Sequence, residues 1–208
     1  MFARQTEPSV DPSGDVARID YYFSPMSGDA YLGHATLMAL AQERALPVRF
    51  LPVDETRLDL LPEHQRPDRI AEQARRARRA GLRMAAEPLN WPTDPRLACR
   101  AILAAGLLGL DQAAASLACL RGVWAEQRNI ADPGDLAEAF DAAGLPGCRL
   151  IAAAGSEDLR DAAQAVISSA QAAGIPLLPC CAVAGRLVPG LDGLDRLRQH
   201  QHQPSHAA

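Results

Sequence analysis

Two textures alternate along the chain. Residues 18–23 are an almost unbroken apolar run, Ile19 to Phe23, and read as a buried strand. Residues 29–45 carry apolar side chains at Tyr31, Leu32, Ala35, Leu37, Met38 and Leu40, close to helical spacing. Residues 46–53, "LPVRFLPV", alternate and are rich in Val, Phe and Leu, so they read as a second strand. Strand, helix, strand within about forty residues is a βαβ unit with an expected right-handed crossover.

From Asp54 to about Ala173 the pattern is helical, over 66–81, 94–108, 111–127, 133–143 and 156–173. Asp94-Pro95 and Asp132-Pro133 mark helix starts with proline in the first turn. Gly81, Gly144 and Gly174 are natural helix stops. "CRLIAAAG" has the length of a short strand, but its alanines favour helix. After Gly174 the texture changes again. Residues 175–190 read as a strand, a turn at Ala184-Gly185 and a second short strand, and "LDGLDRLRQH" reads as a closing helix.

Removing the helical block leaves βαβ followed by ββα, the order of a thioredoxin core. A block of this length is too long for a loop in a compact domain. The expected fold is therefore α/β, thioredoxin-like, with a large all-helical insertion. Residues 18–56 and 174–200 would form the thioredoxin-like part and 57–173 the inserted subdomain. Residues 1–17 are expected to be a flexible lead, and 201–208 a loose tail carrying two histidines, with a third at His200.

Composition narrows the function. The chain has 208 residues, 48% hydrophobic and only 4% aromatic, with a net charge of -4. Few aromatics and no basic field argue against nucleic acid and anionic membranes. The run "RRARR", residues 75–79, spreads around a helix and reads as a solvated face. No apolar stretch reaches a membrane span, and the N-terminus has no signal-like core. The five cysteines, Cys99, Cys119, Cys148, Cys180 and Cys181, show neither CxxC nor zinc spacing. That usage fits buried thiols in a reducing cytoplasm and no metal site.

The most telling stretch is "YYFSPMSGDAYLGH", residues 21–34, which puts small polar residues and glycine between the first strand and the first helix. Such junctions hold anions, cofactors or nucleophiles. "SGDAYLG" (27–33) resembles the S-P-Y-[SA]-[YW]-L-[GA] motif of the 2-hydroxychromene-2-carboxylate isomerases and their relatives, the kappa-class glutathione transferases, in the DsbA-like thioredoxin clan. It matches at Ser27, Ala30, Tyr31, Leu32 and Gly33 and departs at Gly28 and Asp29. A register starting at Ser24-Pro25 needs three extra residues before Tyr31. The segments 88–105, 123–145 and "VAGRLVPGLDGLDRL" extend the likeness over nearly the whole chain.

The resemblance implies a glutathione-dependent isomerase acting on an aromatic-derived substrate by reversible thiolate addition, in a homodimer. It implies Ser27 as the catalytic residue, donating a hydrogen bond to the thiol of glutathione at a helix N-terminus. It places the family's cis-proline loop on Leu177, Leu178 and Pro179. There the Leu178 backbone would pair with glutathione, and Asp192 would hold its ammonium group. Pro176 competes with Pro179 for the cis position. Tyr31, Trp91 and Asp94 fall in stretches that would line a substrate pocket. Ordinary structural roles compete with each: an N-cap for Ser27, packing for Trp91, a helix cap for Asp192. Asp29 adds a carboxylate in the first helical turn, which would raise a nearby thiol pKa unless it faces solvent. The alternatives are a kappa-class-like transferase and a non-catalytic glutathione- or peptide-binding protein. A disulfide oxidoreductase is disfavoured by the missing CxxC.

Overall fold

The computed structural model describes residues 18–60 and 67–199. The expected N-terminal lead and the tail with its histidines lie outside the described residues. The strands are β1 (Ile19–Phe23), β2 (Val48–Pro52), β3 (Cys180–Val183) and β4 (Arg186–Pro189). Helix α1 (Gly28–Glu43) joins β1 to β2. A 3₁₀ turn at Glu55–Arg57 leads on to α2 (Pro67–Arg79), α3 (Arg96–Leu107), α4 (Gln112–Trp124), α5 (Pro133–Ala142), α6 (Gly147–Ala154) and α7 (Glu157–Ala172). Helix α8 (Gly190–Gln199) follows β4. The alanine-rich segment is helical as α6, so the strand alternative there falls away.

The sheet order is β2-β1-β3-β4. Strands β1 and β2 are parallel; β3 is antiparallel to both β1 and β4. This is the thioredoxin-like arrangement, with six helices between β2 and β3 among the described residues. The two-residue β3–β4 hairpin turns at Ala184 and Gly185, both with positive φ (47° and 73°), which suits a right-twisted hairpin.

Strand alternation sorts the core into two layers. Ile19, Tyr21, Phe23, Phe50 and Cys181 pack with Leu37 and Leu40 of α1, Leu194 of α8, and Ile102 and Leu120 of the helical block. On the other face, Tyr22, Leu51, Val53 and Cys180 pack with Val166, Ile167 and Ala170 of α7. A 2.7 Å hydrogen bond between the hydroxyls of Tyr22 and Ser169 ties α7 to the central strand. Cys180 and Cys181 thus point to opposite faces, and both are buried. Cys99 and Cys119 are buried as expected, but Cys148, the second residue of α6, is exposed.

The arginine run departs from a purely solvated face. Arg75 pairs with Glu72, but Arg76 reaches from α2 to Asp192 of α8 as well as to Glu72. Ala77, between them, is buried.

His34 on α1 is buried and stacks on Phe50, ring centroids 6.1 Å apart. Burial disfavours the imidazolium and lowers its pKa from 6.5 to about 4, partly opposed by Asp111. Because the folded pKa is depressed, the unfolded chain binds the extra proton between these values. Stability is then full above about pH 6.5 and declines as pH falls toward 4. Urea titrations across this window should show the wild type losing on the order of 2–3 kcal/mol more than His34→Gln. Parallel pH profiles for the two proteins would show that His34 is not the titrating group.

Candidate functional site

The junction between β1 and α1 is built around one carbonyl. The turn Ser24–Ser27 closes with a Ser27 N–H to Ser24 O bond of 3.0 Å. At Met26 the backbone oxygen accepts two indole N–H bonds, from Trp91 (3.0 Å) and Trp124 (3.1 Å). The two rings lie 5.1 Å apart, and Trp124 is fully buried. Trp91 is therefore fixed by a hydrogen bond that positions the turn before the helix. This is a structural duty beyond the packing role weighed for it.

Ser27 is the N-cap of α1, its Oγ accepting from Ala30 N–H at 3.2 Å. The register starting at Ser27 matches the observed helix start; Ser24 sits in the turn before it. Ser27 is only 1% exposed. A hydroxyl can accept from the helix and donate at the same time, so capping does not forbid a thiol contact.

Helix α2 and the segment after it cover this N-terminus. A Cβ on Gly28 would lie 2.6 Å from Gln73 Oε1 and 2.9 Å from Met84 Cε. The glycine that departs from the family motif is therefore matched to the side chains above it. Asp29 neither faces solvent nor stands unpaired. Its buried carboxylate receives Arg69 Nε at 2.7 Å and Nη2 at 2.6 Å on Oδ2, and Gln73 Nε2 at 3.0 Å on Oδ1. Arg69 and Gln73 are four residues apart, hence on one face of α2. That spacing was visible in the sequence; its partner on α1 was not.

The other predicted residues divide. The Leu178-Pro179 peptide is cis, whereas Pro176 is not among the cis prolines. Tyr22 pairs with Cys180, so the loop ending at Pro179 runs beside the end of β1, at the same sheet edge as Ser27. No hydrogen bond to the Leu178 backbone occurs among the described residues, while Pro179 O accepts from Gly190 N–H at 2.7 Å. Asp192 lies in the first turn of α8 and is half exposed; its hydrogen bond to Arg76 holds its carboxyl below the usual range.

Tyr31 belongs to the core, and its hydroxyl donates to Arg83 O at 2.9 Å. It anchors the segment after α2, and burial raises its pKa. Asp94 opens α3, accepting from Arg96 N–H at 2.9 Å and pairing with the Arg96 guanidinium, which lowers its pKa. Cys180, next to the cis peptide, has its thiol pushed up by burial to about 11, and burial raises that of Cys181 as well.

Comparison with known proteins places this geometry. The DSBA-like thioredoxin domain family matches residues 18–201. No curated protein matches. Among solved structures, a 2-hydroxychromene-2-carboxylate isomerase superposes with a TM-score of 0.72 at 19% identity, over 88% of this chain and 93% of that one. The cytosolic disulfide reductase DsbM from Pseudomonas aeruginosa, determined with GSH, gives 0.65 at 20% identity, over 89% and 100%. At these identities the likenesses speak for the fold alone. With a thioredoxin-like sheet, a helical block after β2 and a family match across nearly all of its described length, the chain belongs to the DSBA-like thioredoxin domain family.

Proposed function

We propose that this protein is a glutathione-dependent isomerase similar to 2-hydroxychromene-2-carboxylate isomerase, acting on an aromatic-derived substrate. The observation that carries the reading is Ser27, a hydroxyl at the N-cap of α1 where a disulfide oxidoreductase needs a thiol. Cys180, on β3 beside the cis-proline loop, is buried with a raised pKa, which disfavours the thiolate needed for exchange.

The residues present fit glutathione. Leu178 offers unpaired backbone groups beside the cis proline, suited to strand-like pairing with a peptide. Ser27 Oγ and the partial positive charge of the α1 N-terminus favour thiolate over thiol. When bound, glutathione supplies a sulfur nucleophile that can add reversibly to a conjugated substrate. Ser27 would hold the proton-donating contact to that sulfur, and the Arg69 counter-charge on Asp29 limits carboxylate repulsion of it. Asp192 can take the glutathione ammonium only by sharing or releasing Arg76.

Ser27→Ala should lower isomerase turnover by about ten- to a thousand-fold, the scale of one preorganised donor. Glutathione affinity should change little. Steady-state kinetics with unchanged turnover would overturn the role of Ser27, with Ser24→Ala as the comparison. Net consumption of glutathione during the reaction would instead identify a transferase of the kappa-class type.

A second reading rests on the cover over Ser27. Gln73 and Met84 lie close above Gly28, and Ser27 beside it is only 1% exposed, so a thiol reaches Ser27 only after side chains around it shift. A protein in which they stay would bind without catalysing. Gly28→Ala should displace Gln73 from Asp29 and cost about 1 kcal/mol, the worth of that hydrogen bond. In a Gln73→Ala background the same substitution should cost little. Urea unfolding of the four proteins measures this coupling, and strictly additive losses would show that Gln73 does not constrain position 28. Faster alkylation-protected binding of glutathione in Gln73→Ala would mark the side chain as the barrier to the site.

A further inference from the structure

A cavity opens beside the end of β2, at the same end of the sheet as Ser27. It has a volume of about 230 Å³ and lies between the end of β2, the first turns of α3 and the first half of α7. Its wall includes four arginines: Arg57 after β2, Arg96 and Arg100 of α3, and Arg160 of α7. Only one carboxylate, Asp54, lines it, and that side chain caps the 3₁₀ turn through Thr56. Ser27 is not part of its wall.

The cations are only partly satisfied by the protein. Arg96 is paired with Asp94 outside the wall, Arg57 donates to Gln164 Oε1 at 3.2 Å, and Arg160 donates to Gly155 O at 2.7 Å. Those bonds to Gln164 and Gly155 orient guanidinium groups without neutralising them. Arg100 has no ion pair among the described residues, and its Nε is buried with no hydrogen-bond partner. A guanidinium that lines a cavity and has no carboxylate partner among the described residues is suited to take an oxyanion from outside the chain. Guanidinium forks match planar and tetrahedral oxyanions through paired, charge-assisted bonds.

We propose that this cavity is a binding site for a small dianion, a phosphate monoester or a dicarboxylate, held chiefly by Arg100 with Arg57 and Arg160. The inference is independent of the glutathione reading, since it uses none of the residues around Ser27. The cavity volume admits a compact ligand rather than a polymer. The adjoining apolar wall of Cys99, Ala163 and Ile167 accommodates a short carbon skeleton.

The experiment is isothermal titration calorimetry of the full chain with inorganic phosphate and, separately, with succinate. The expected result is saturable one-site binding of at least one anion, weakened about tenfold or more in Arg100→Gln and in Arg160→Gln. Arg160 lies at the exposed start of α7, so its variant keeps the test valid should Arg100→Gln fold poorly. Arg198→Gln, which alters an exposed pair between α8 and Glu43 of α1, should bind as the wild type does. Phosphate binding alone would assign a phosphate monoester, and succinate binding alone a dicarboxylate. Absence of saturable binding of either anion to folded wild type would overturn the proposal. So would equal weakening by all three variants, which would mark a diffuse charge effect.

Discussion

The backbone oxygen of Met26 is the contact on which the candidate site depends. A turn between a buried strand and a buried helix start has carbonyls that water cannot reach, and each must find a donor inside the protein. Here two indole N–H groups from different parts of the helical block converge on one oxygen. Trp91 belongs to the segment before α3 and Trp124 ends α4, so the start of α1 is clamped from across the fold. Indole suits this duty because it buries a large apolar face and brings a single fixed donor at its edge. The precision of the Ser27 position is therefore a property of the helical block as much as of the strand that precedes it.

The same logic explains what could be read from the chain and what could not. Element order was legible because periodicity is local. The nearly unbroken run at Ile19–Phe23, the glycine stops and the Ala184-Gly185 turn all act within a few residues of themselves. The cis Leu178-Pro179 peptide and the Ser27 cap were legible for a related reason: both are short motifs in a recognisable order. Tyr31 and Asp94 hold structural contacts that their place in the sequence does not announce. A tyrosine in the second turn of α1 looks the same in sequence whether its ring lines a cavity or its hydroxyl ties down residue 83. An aspartate before proline looks the same whether it meets a ligand or pairs with Arg96 at the start of α3. Only tertiary contacts decide between these. Trp124 and Arg69 carried no local signal at all, because each acts on a partner far away in sequence.

The arginines divide by the same criterion. Arg69 and Arg76 of α2 find carboxylates on α1 and α8, so they fasten the helical block to the sheet layer. The exposed Arg76–Asp192 pair contributes little by itself, whereas the Arg69–Asp29 pair holds a buried carboxylate. Near Arg100, Arg57 and Arg160 find amide and backbone acceptors instead, which hold their direction and leave their charge in place, while Arg96 pairs with Asp94. A net charge of -4 over the chain therefore conceals a local cluster of four arginines around one cavity beside β2.

Asp29 shows how two departures from a family motif can be one event. A bare carboxylate in the first turn of α1 would suit the helix dipole but would oppose formation of a second anion at Ser27. Burying it without a partner would be worse still for the fold. Arg69 and Gln73 resolve both problems by occupying both carboxylate oxygens, and to do so they must lie flat over the start of the helix. That places Gln73 where a side chain at position 28 would have to be, which leaves glycine as the residue that fits. Gly28, Asp29, Arg69 and Gln73 are thus a linked set. Replacing the pair at 28–29 by the family's proline and aromatic residue would remove the acceptor for Arg69 and crowd Gln73 at once. The helix that neutralises Asp29 is also the one whose Gln73 packs over Gly28, so charge control and cover at this site share that side chain.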